Sequence, residues 1–366
     1  VGLPIAIALG AIVGKSSYRL QVLDDCTPEA VAKGREYIEQ GRISISLDKN
    51  ACDNLFVDVV CKREGHRSEA IIANQHTRLV YLCCDNNVIL DERSALSGAS
   101  VSDNENTLSL KEVFDFATQT PIEHLQFINE ARVLNEHVAQ EALKGNYGHE
   151  LGKTLTRPLG KGIMGDSIFS HILSVTSCAC DARMAGAQIP VMSNSGSGNQ
   201  GIAATLPVVV FAKENHNTEE ELTRALILSH LTAIYIKQSL GRLSALCGCV
   251  VASTGSSCGI TLLMGGNYEQ VAYSVKNMIA NLAGMVCDGA KPSCALKLSS
   301  GVSTAVLSAM LAIQNKYVTN VEGIIEDDVD RCIRNLTLVG AKGMQETDRM
   351  VLDIMTHKRN GTSSKS

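Results

Sequence analysis

The sequence predicts an α+β fold: a mixed N-terminal lobe with a short antiparallel sheet, and a mainly helical C-terminal lobe rich in Ala, Gly and Ser. Two observations predict this division. Short apolar and β-branched runs are concentrated in the first part of the chain, and apolar residues recur at helical spacing after it. We therefore expect two domains, a mixed α/β lobe at residues 1–107 and a helical catalytic lobe at residues 108–366.

The first lobe is predicted to start with two helices. The apolar residues 1–14 predict a buried helix, since the stretch is too short to cross a bilayer. Thr27 and Pro28 form a helix start, with an N-cap followed by Pro at the first position, and Gly41 ends that helix. Four further runs predict the strands of an antiparallel meander, at residues 42–47, 55–61, 68–73 and 78–84.

The second lobe is predicted to consist of helices. Ser109 and Glu112 match a capping box, so a helix is expected to begin there. The tail at residues 358–366 is expected to be frayed. Further helices are predicted at residues 122–143, 168–179, 219–238, 243–264 and 270–285.

Charge and cysteine content limit the class of protein. The chain has 33 basic and 38 acidic residues and lacks a long basic run, so nucleic acid is not an expected partner. Its 13 cysteines are too scattered for a small secreted disulfide scaffold. We expect a cytoplasmic protein that does not act on a membrane; a homo-oligomer is left open.

The most informative stretch is residues 190–201, a run of Ser, Asn and Gly between apolar flanks. Free backbone N–H groups beside such side chains suit a carboxylate or phosphate. The alternative is a plain turn or a flexible linker. Arg183 is a candidate partner for a substrate carboxylate, or else pairs with Asp181. The substrate-binding candidates in the run are Ser193, Asn194, Ser195, Ser197 and Asn199.

Two cysteines, Cys247 and Cys287, lie near the ends of predicted helices, each with a glycine close by. Compact ferredoxin spacings do not occur, so spacing alone leaves open either an iron–sulfur cluster or buried structural thiols. Other thiols are interpreted as packing residues: Cys178, Cys180, Cys249, Cys258 and Cys332.

Several motifs, in order along nearly the whole chain, resemble the L-cysteine desulfidase family, which is related to the alpha chain of iron–sulfur L-serine dehydratases. The motifs are Val1-Gly2-Leu3-Pro4-Ile5, Asp181-Ala182-Arg183-Met184, Ser193-Asn194-Ser195-Gly196-Ser197-Gly198-Asn199-Gln200-Gly201, Leu228-Ser229-His230-Leu231, Arg242-Leu243-Ser244-Ala245-Leu246-Cys247, Cys287-Asp288-Gly289-Ala290-Lys291 and Gln345-Glu346-Thr347-Asp348-Arg349.

The resemblance implies a 4Fe-4S cluster held by three cysteines, with one iron open to the substrate, a small amino acid. Two ligands would be Cys247 and Cys287. The third is expected upstream of the Val1-Gly2-Leu3-Pro4 match, in a segment of the natural protein, so the cluster is not assured in this chain. Cys26 follows that match and is rejected as its equivalent, while Cys294 is a candidate substitute. The implied reaction is β-elimination from L-cysteine to sulfide, pyruvate and ammonia.

His230 and Asp288 are the catalytic candidates. His230 is the expected general base or acid because a histidine pKa lies near neutral pH; the alternative is a satisfied core histidine. Asp288 would orient substrate or support the neighbouring ligand. Three other functions stay open: an iron–sulfur L-serine dehydratase, a pyridoxal-phosphate lyase, for which the sequence singles out no lysine, and a non-catalytic small-molecule or redox binding protein.

Overall fold

A computed structural model describes residues 2–48, 55–96, 108–241 and 244–357. Contacts between Cα atoms divide the chain into two compact units, one of Val1–Glu105 with Glu346–Ser366 and one of Asn106–Gln345. A four-stranded antiparallel sheet lies in the first unit and most helices lie in the second. The α+β class is therefore confirmed.

The first unit contains two α-helices followed by the sheet, and nearly all of α14 (Gln345–Thr356) also belongs to it. Its strands pair in chain order, β1-β2-β3-β4, each antiparallel to the next. Ile71, Val80 and Tyr81 form part of a small hydrophobic core in this unit. The elements are α1 (Leu3–Val13), α2 (Pro28–Glu39), β1 (Phe56–Arg63), β2 (His66–Ala73), β3 (Leu79–Cys84) and β4 (Asn87–Asp91).

Local signals predicted most of these elements. The N-cap at Thr27 is confirmed, because its side chain accepts a hydrogen bond from the Ala30 N–H at 3.2 Å. Strand β4 was not predicted, although Asp85 and Asn86 both have positive φ, 48° and 66°, as a two-residue hairpin turn requires.

Two expectations for the first unit were wrong. The predicted strand at residues 42–47 does not form, since no described strand pairs with these residues and an alternating pattern needs a partner edge. Helix α1 forms as predicted, but only Ala8 and Leu9 are buried among its residues. The predicted frayed tail lies outside the described residues.

The second unit is a bundle of helices. The capping box of Ser109 and Glu112 is confirmed at the start of the first of them. Within the predicted helix at residues 122–143, two short 3₁₀ turns precede the α-helix. The helices are α3 (Leu110–Gln119), α4 (Asn129–Lys144), α5 (Leu151–Thr156), α6 (Pro158–Met164), α7 (Ile168–Ala185), α8 (Gly198–Glu214), α9 (Glu219–Leu240), α10 (Gly248–Leu263), α11 (Tyr268–Leu282), α12 (Cys294–Ile313) and α13 (Val329–Leu338); α14 (Gln345–Thr356) follows.

Helix α10 lies at the centre of the bundle and packs against α8, α9, α11 and α12. Its small residues permit close approach: a Cβ added at Gly255 would lie 2.2 Å from the Ser229 carbonyl oxygen of α9. Helix α12 is long and apolar enough to cross a bilayer by length and composition, yet half of that stretch is buried inside the protein. This close packing fixes the N-terminal ends of α8, α10 and α12, where the candidate site lies.

Candidate functional site

Cys247 and Cys287 lie side by side, although 40 residues separate them in sequence. An isolated antiparallel bridge joins Leu246 to Val286, with Cys247 N–H donating to the Met285 carbonyl at 2.9 Å and Cys287 N–H donating to the Ala245 carbonyl at 2.6 Å. This bridge brings the two side chains within thiol–thiol hydrogen-bonding reach. Both thiols are free.

The donors around this cysteine pair fit a pair of metal-bound thiolates. Cys247 is the N-cap of α10, and although its side chain accepts no capping hydrogen bond, the backbone N–H groups of Cys249 and Gly289 act to lower the pKa of Cys247 and Cys287, respectively. Backbone N–H groups and a helix N-terminus favour negative charge on sulfur. With no metal bound, contact with the Cys249 thiol and burial raise the pKa of Cys247 to about 12, so metal binding would release its proton.

The predicted anion-binding run forms a tight turn that leads into α8. Ser195 and Gly196 have φ values of 49° and 81°, and Asn194 and Ser197 exchange two backbone hydrogen bonds across them. Ser197 then caps α8 by accepting from the Gln200 N–H. Ser193 and Ser195 are exposed at this turn. The run is therefore a fixed turn rather than a linker.

Arg183 lies against the N-terminus of α8. Its Nη1 donates to Asn199 Oδ1 at 3.1 Å, and a Cβ added at Gly198 would lie 2.3 Å from its Nε. Among the described residues no carboxylate pairs with Arg183, and the alternative partner Asp181 instead accepts from the His149 and Gly152 N–H groups. A guanidinium beside the first turn of a helix suits a bound carboxylate.

The contacts of His230 are those of a satisfied core histidine, the alternative to the expected general acid–base role, and they favour that alternative. Its Nδ1 accepts from Asn194 Nδ2 at 3.2 Å, and its Nε2 lies 3.0 Å from Thr205 Oγ1. The Thr205 hydroxyl donates to the Gly201 carbonyl, so Nε2 must carry the proton. Burial lowers the pKa of His230 to about 4. The neutral ring holds Asn194 and the turn in place, with no ring nitrogen left for substrate.

This burial predicts a pH dependence of stability. The pKa of His230 is about 4 in the folded chain and about 6.5 in the unfolded chain, so between these values only the unfolded chain takes up a proton. The contribution of neutral His230 to the free energy of unfolding is fully present above pH 6.5. The free energy of unfolding falls by about 3 kcal/mol as the pH drops toward 4. Urea unfolding should therefore show a steeper loss between pH 7 and pH 4.5 for the unmodified protein than for His230→Gln.

The exposed His137 of α4 provides the matched control. His137→Gln should retain the steep pH dependence of the unmodified protein. Equal slopes for the unmodified protein and His230→Gln would contradict the burial of a neutral imidazole.

Asp288 is engaged in ion pairs with Lys291 and Lys297. Although partial burial acts to raise it, the hydrogen bonds from these two lysines hold the pKa of Asp288 at about 2. The carboxylate is therefore ionised and holds the segment after Cys287 to α12. This placement favours the supporting role expected for Asp288 over direct proton transfer.

Sequence reasoning missed Lys237 and Gln200. The ammonium group of Lys237, in the last turn of α9, makes no hydrogen bond or ion pair with any described residue, and the thiols of Cys247 and Cys287 are close enough to act on its charge. Gln200 lies in the first turn of α8 against Gly248, the residue after Cys247. Gln200 lies within the motif at residues 193–201, whereas nothing in the sequence marks Lys237.

Three more thiols lie near the pair. The Cys249 thiol donates a hydrogen bond to the Lys297 carbonyl oxygen at 3.1 Å, and the Cys180 thiol donates one to Asn199 Oδ1 at 3.6 Å. The Cys294 sulfur accepts a hydrogen bond from the Lys291 N–H at 3.5 Å. Cys180 and Cys249, expected to be packing residues only, thus border the site. Within the part of the chain that the structure describes, no three His, Cys, Asp or Glu side chains are arranged to hold a metal ion.

A cavity among the described residues lies away from the cysteine pair. It has a volume of about 410 Å³ and is lined by His171, Val210 and Glu214, at the opposite end of α7 and α8 from Arg183 and Gly198. The chemistry of the cysteine pair therefore does not coincide with this cavity.

Comparison with known proteins identifies relatives over nearly the whole chain. A family model described as "Serine dehydratase alpha chain" matches residues 17–353. A "UPF0597 protein" of Bacteroides thetaiotaomicron is 62% identical over 358 residues, covering 98% of this chain and 83% of the relative. Proteins of the same name from Porphyromonas gingivalis and Aeromonas hydrophila are 49% and 39% identical, covering 98% and 99% of this chain and 84% and 82% of the relatives. No solved structure matches.

Proposed function

Because this chain belongs to the serine dehydratase alpha chain family, which points to a dehydratase-like lyase, we propose that it eliminates sulfide from L-cysteine. The observation that carries the proposal is the juxtaposition of two free thiols, Cys247 and Cys287, with an anion site at Arg183 and the N-terminus of α8. The α-proton and the sulfide leave, and the resulting aminoacrylate tautomerises and is hydrolysed by water. The products are sulfide, pyruvate and ammonia.

Cys247 and Cys287 would hold two corners of a 4Fe-4S cluster, with a third thiolate from outside the described residues. When bound, the cluster supplies a Lewis acid for the leaving group. The backbone N–H groups of Cys249 and Gly289 would favour the thiolate form of Cys247 and Cys287. Lys237 would offset negative charge on the thiolates, because it is a half-buried cation without a carboxylate partner among the described residues.

The substrate carboxylate would bind to Arg183 and the free N–H groups at the start of α8. Gly198 and Asn199 occupy the first two helical positions, where the N–H groups have no partner within the helix. The exposed hydroxyls of Ser193 and Ser195 border this position, while Asn194 and Ser197 shape the turn. The turn thus positions the carboxylate, and the cysteine pair lies at the neighbouring N-terminus of α10.

L-Serine dehydration is the second candidate, favoured by the description of the family model. The surroundings of Arg183 favour L-cysteine as the substrate, because the sulfur atoms of Cys180 and Met184 lie there. Sulfur is a weak hydrogen-bonding partner, so these surroundings suit a thiol better than a hydroxyl. We propose that the reaction takes place in the cytoplasm and that its substrate is a small amino acid.

Anaerobic reconstitution of the natural full-length protein with iron and sulfide tests the proposal. We expect a brown protein that releases sulfide, pyruvate and ammonia in equal amounts from L-cysteine. A colourless protein without turnover would contradict the proposal. Equal turnover by a metal-free sample would contradict the role of the cluster alone.

A further inference from the structure

Gln200 carries a buried acceptor that the protein does not use. It is in the first turn of α8, its side chain is 5% exposed, and its Oε1 atom has no hydrogen-bond partner among the described residues. A buried carbonyl oxygen without a partner is unfavourable, so such an atom in a folded protein requires an explanation. A ligand that donates a hydrogen bond there would provide one.

The position of Gln200 places this acceptor within the proposed site. A Cβ added at Gly248 would lie 2.8 Å from both Cδ and Nε2 of Gln200, so the amide rests on the first residue of α10. The preceding residue is Cys247. On the other side, the neighbouring Asn199 contacts Arg183 and Cys180. Gln200 therefore lies between the proposed carboxylate site and the cysteine pair.

The other polar groups at this place suit anions. Arg183 and Lys237 are cations, and the first N–H groups of α8 and α10 are donors. The Asn199 Oδ1 acceptor is already occupied by Arg183 and Cys180. An α-amino acid also carries an ammonium group, which must bind an acceptor when it leaves water. Gln200 Oε1 is a buried acceptor that remains available for it.

We propose that Gln200 Oε1 accepts a hydrogen bond from the α-ammonium group of the substrate and thereby selects amino acids over other carboxylates. This inference rests on the proposed function and adds a specificity-determining residue to it. A site built around such a bond rejects an analogue without the donor, because the acceptor is then left unpaired. The side chain would act in recognition and would take no proton during the reaction.

The test compares L-cysteine with 3-mercaptopropionate, which keeps the thiol and the carboxylate but lacks the ammonium group. The reconstituted full-length protein is assayed for the KM of L-cysteine and for the inhibition constant of 3-mercaptopropionate. In Gln200→Met we expect the KM of L-cysteine to rise roughly 10- to 100-fold, the loss typical of a hydrogen bond to a charged group, with the inhibition constant of 3-mercaptopropionate changed less than about threefold.

Gln200→Glu keeps an acceptor and should retain a low KM for L-cysteine, which also covers the case in which the methionine variant folds poorly. Gln140→Met, at an exposed position of α4, is the control and should change neither constant. Equal losses for both ligands, or an unchanged KM in Gln200→Met, would overturn the inference while leaving the proposed function intact. An unmodified protein without turnover would overturn both.

Discussion

Replacement of Cys287 by serine is expected to remove the cluster and with it the turnover of L-cysteine. A serine hydroxyl is a poor ligand for iron at neutral pH, whereas thiolates hold iron–sulfur clusters. The remaining Cys247 would also lose its contact with the Cys287 thiol, the second expected ligand of the cluster. We expect iron and acid-labile sulfide to fall to background, and Cys247→Ser to behave in the same way.

Cys61→Ser is the matched control for this experiment. Cys61 is an exposed thiol of β1 in the first unit, so its replacement should leave iron content and turnover unchanged. Cys294→Ser tests the substitute ligand and should retain the cluster. Full iron content and turnover in Cys287→Ser would contradict the assignment of the cysteine pair.

Replacement of Arg183 by methionine is expected to raise the KM of L-cysteine about 30-fold or more. Loss of one partner from a buried charge pair costs about 2–5 kcal/mol, and 1.4 kcal/mol corresponds to about tenfold in affinity. The cluster should be retained, because Arg183 would contact the substrate carboxylate and not the iron. Steady-state kinetics with parallel iron analysis would measure both effects.

Arg183→Lys should recover only part of the affinity, because lysine cannot form the two parallel hydrogen bonds of a guanidinium. Arg334→Met, at an exposed position of α13, serves as the control and should leave the KM unchanged. An unaltered KM in Arg183→Met would show that the carboxylate binds elsewhere.

Much of the fold follows from local sequence signals. The capping box at Ser109 and the N-cap at Thr27 involve neighbouring residues only, so sequence reasoning located both helix starts. The strand predicted at residues 42–47 is absent because a strand needs a pairing partner, which no local pattern specifies. Strand β4, which was not predicted, follows a turn at Asp85 and Asn86, and the sequence does carry a signal for this turn because Asp and Asn tolerate positive φ.

The candidate site required long-range contacts that spacing does not reveal. Cys247 and Cys287 meet only because the Leu246–Val286 bridge joins two segments 40 residues apart. The residue type of His230 suggested acid–base chemistry, but its burial and its two hydrogen bonds assign it to the turn. Nothing in the sequence distinguishes Gln200 and Lys237 from other residues of their types. They become candidates because, among the described residues, the buried Gln200 Oε1 has no hydrogen-bond partner and the Lys237 ammonium group has no carboxylate partner.

The central claim is tested most directly by offering the reconstituted protein L-cysteine and L-serine together at equal concentration and measuring sulfide and pyruvate in the same sample. Elimination from L-cysteine yields one sulfide for each pyruvate, whereas dehydration of L-serine yields pyruvate alone. We expect a sulfide-to-pyruvate ratio close to one. Pyruvate formed without sulfide would contradict the account and identify L-serine as the substrate.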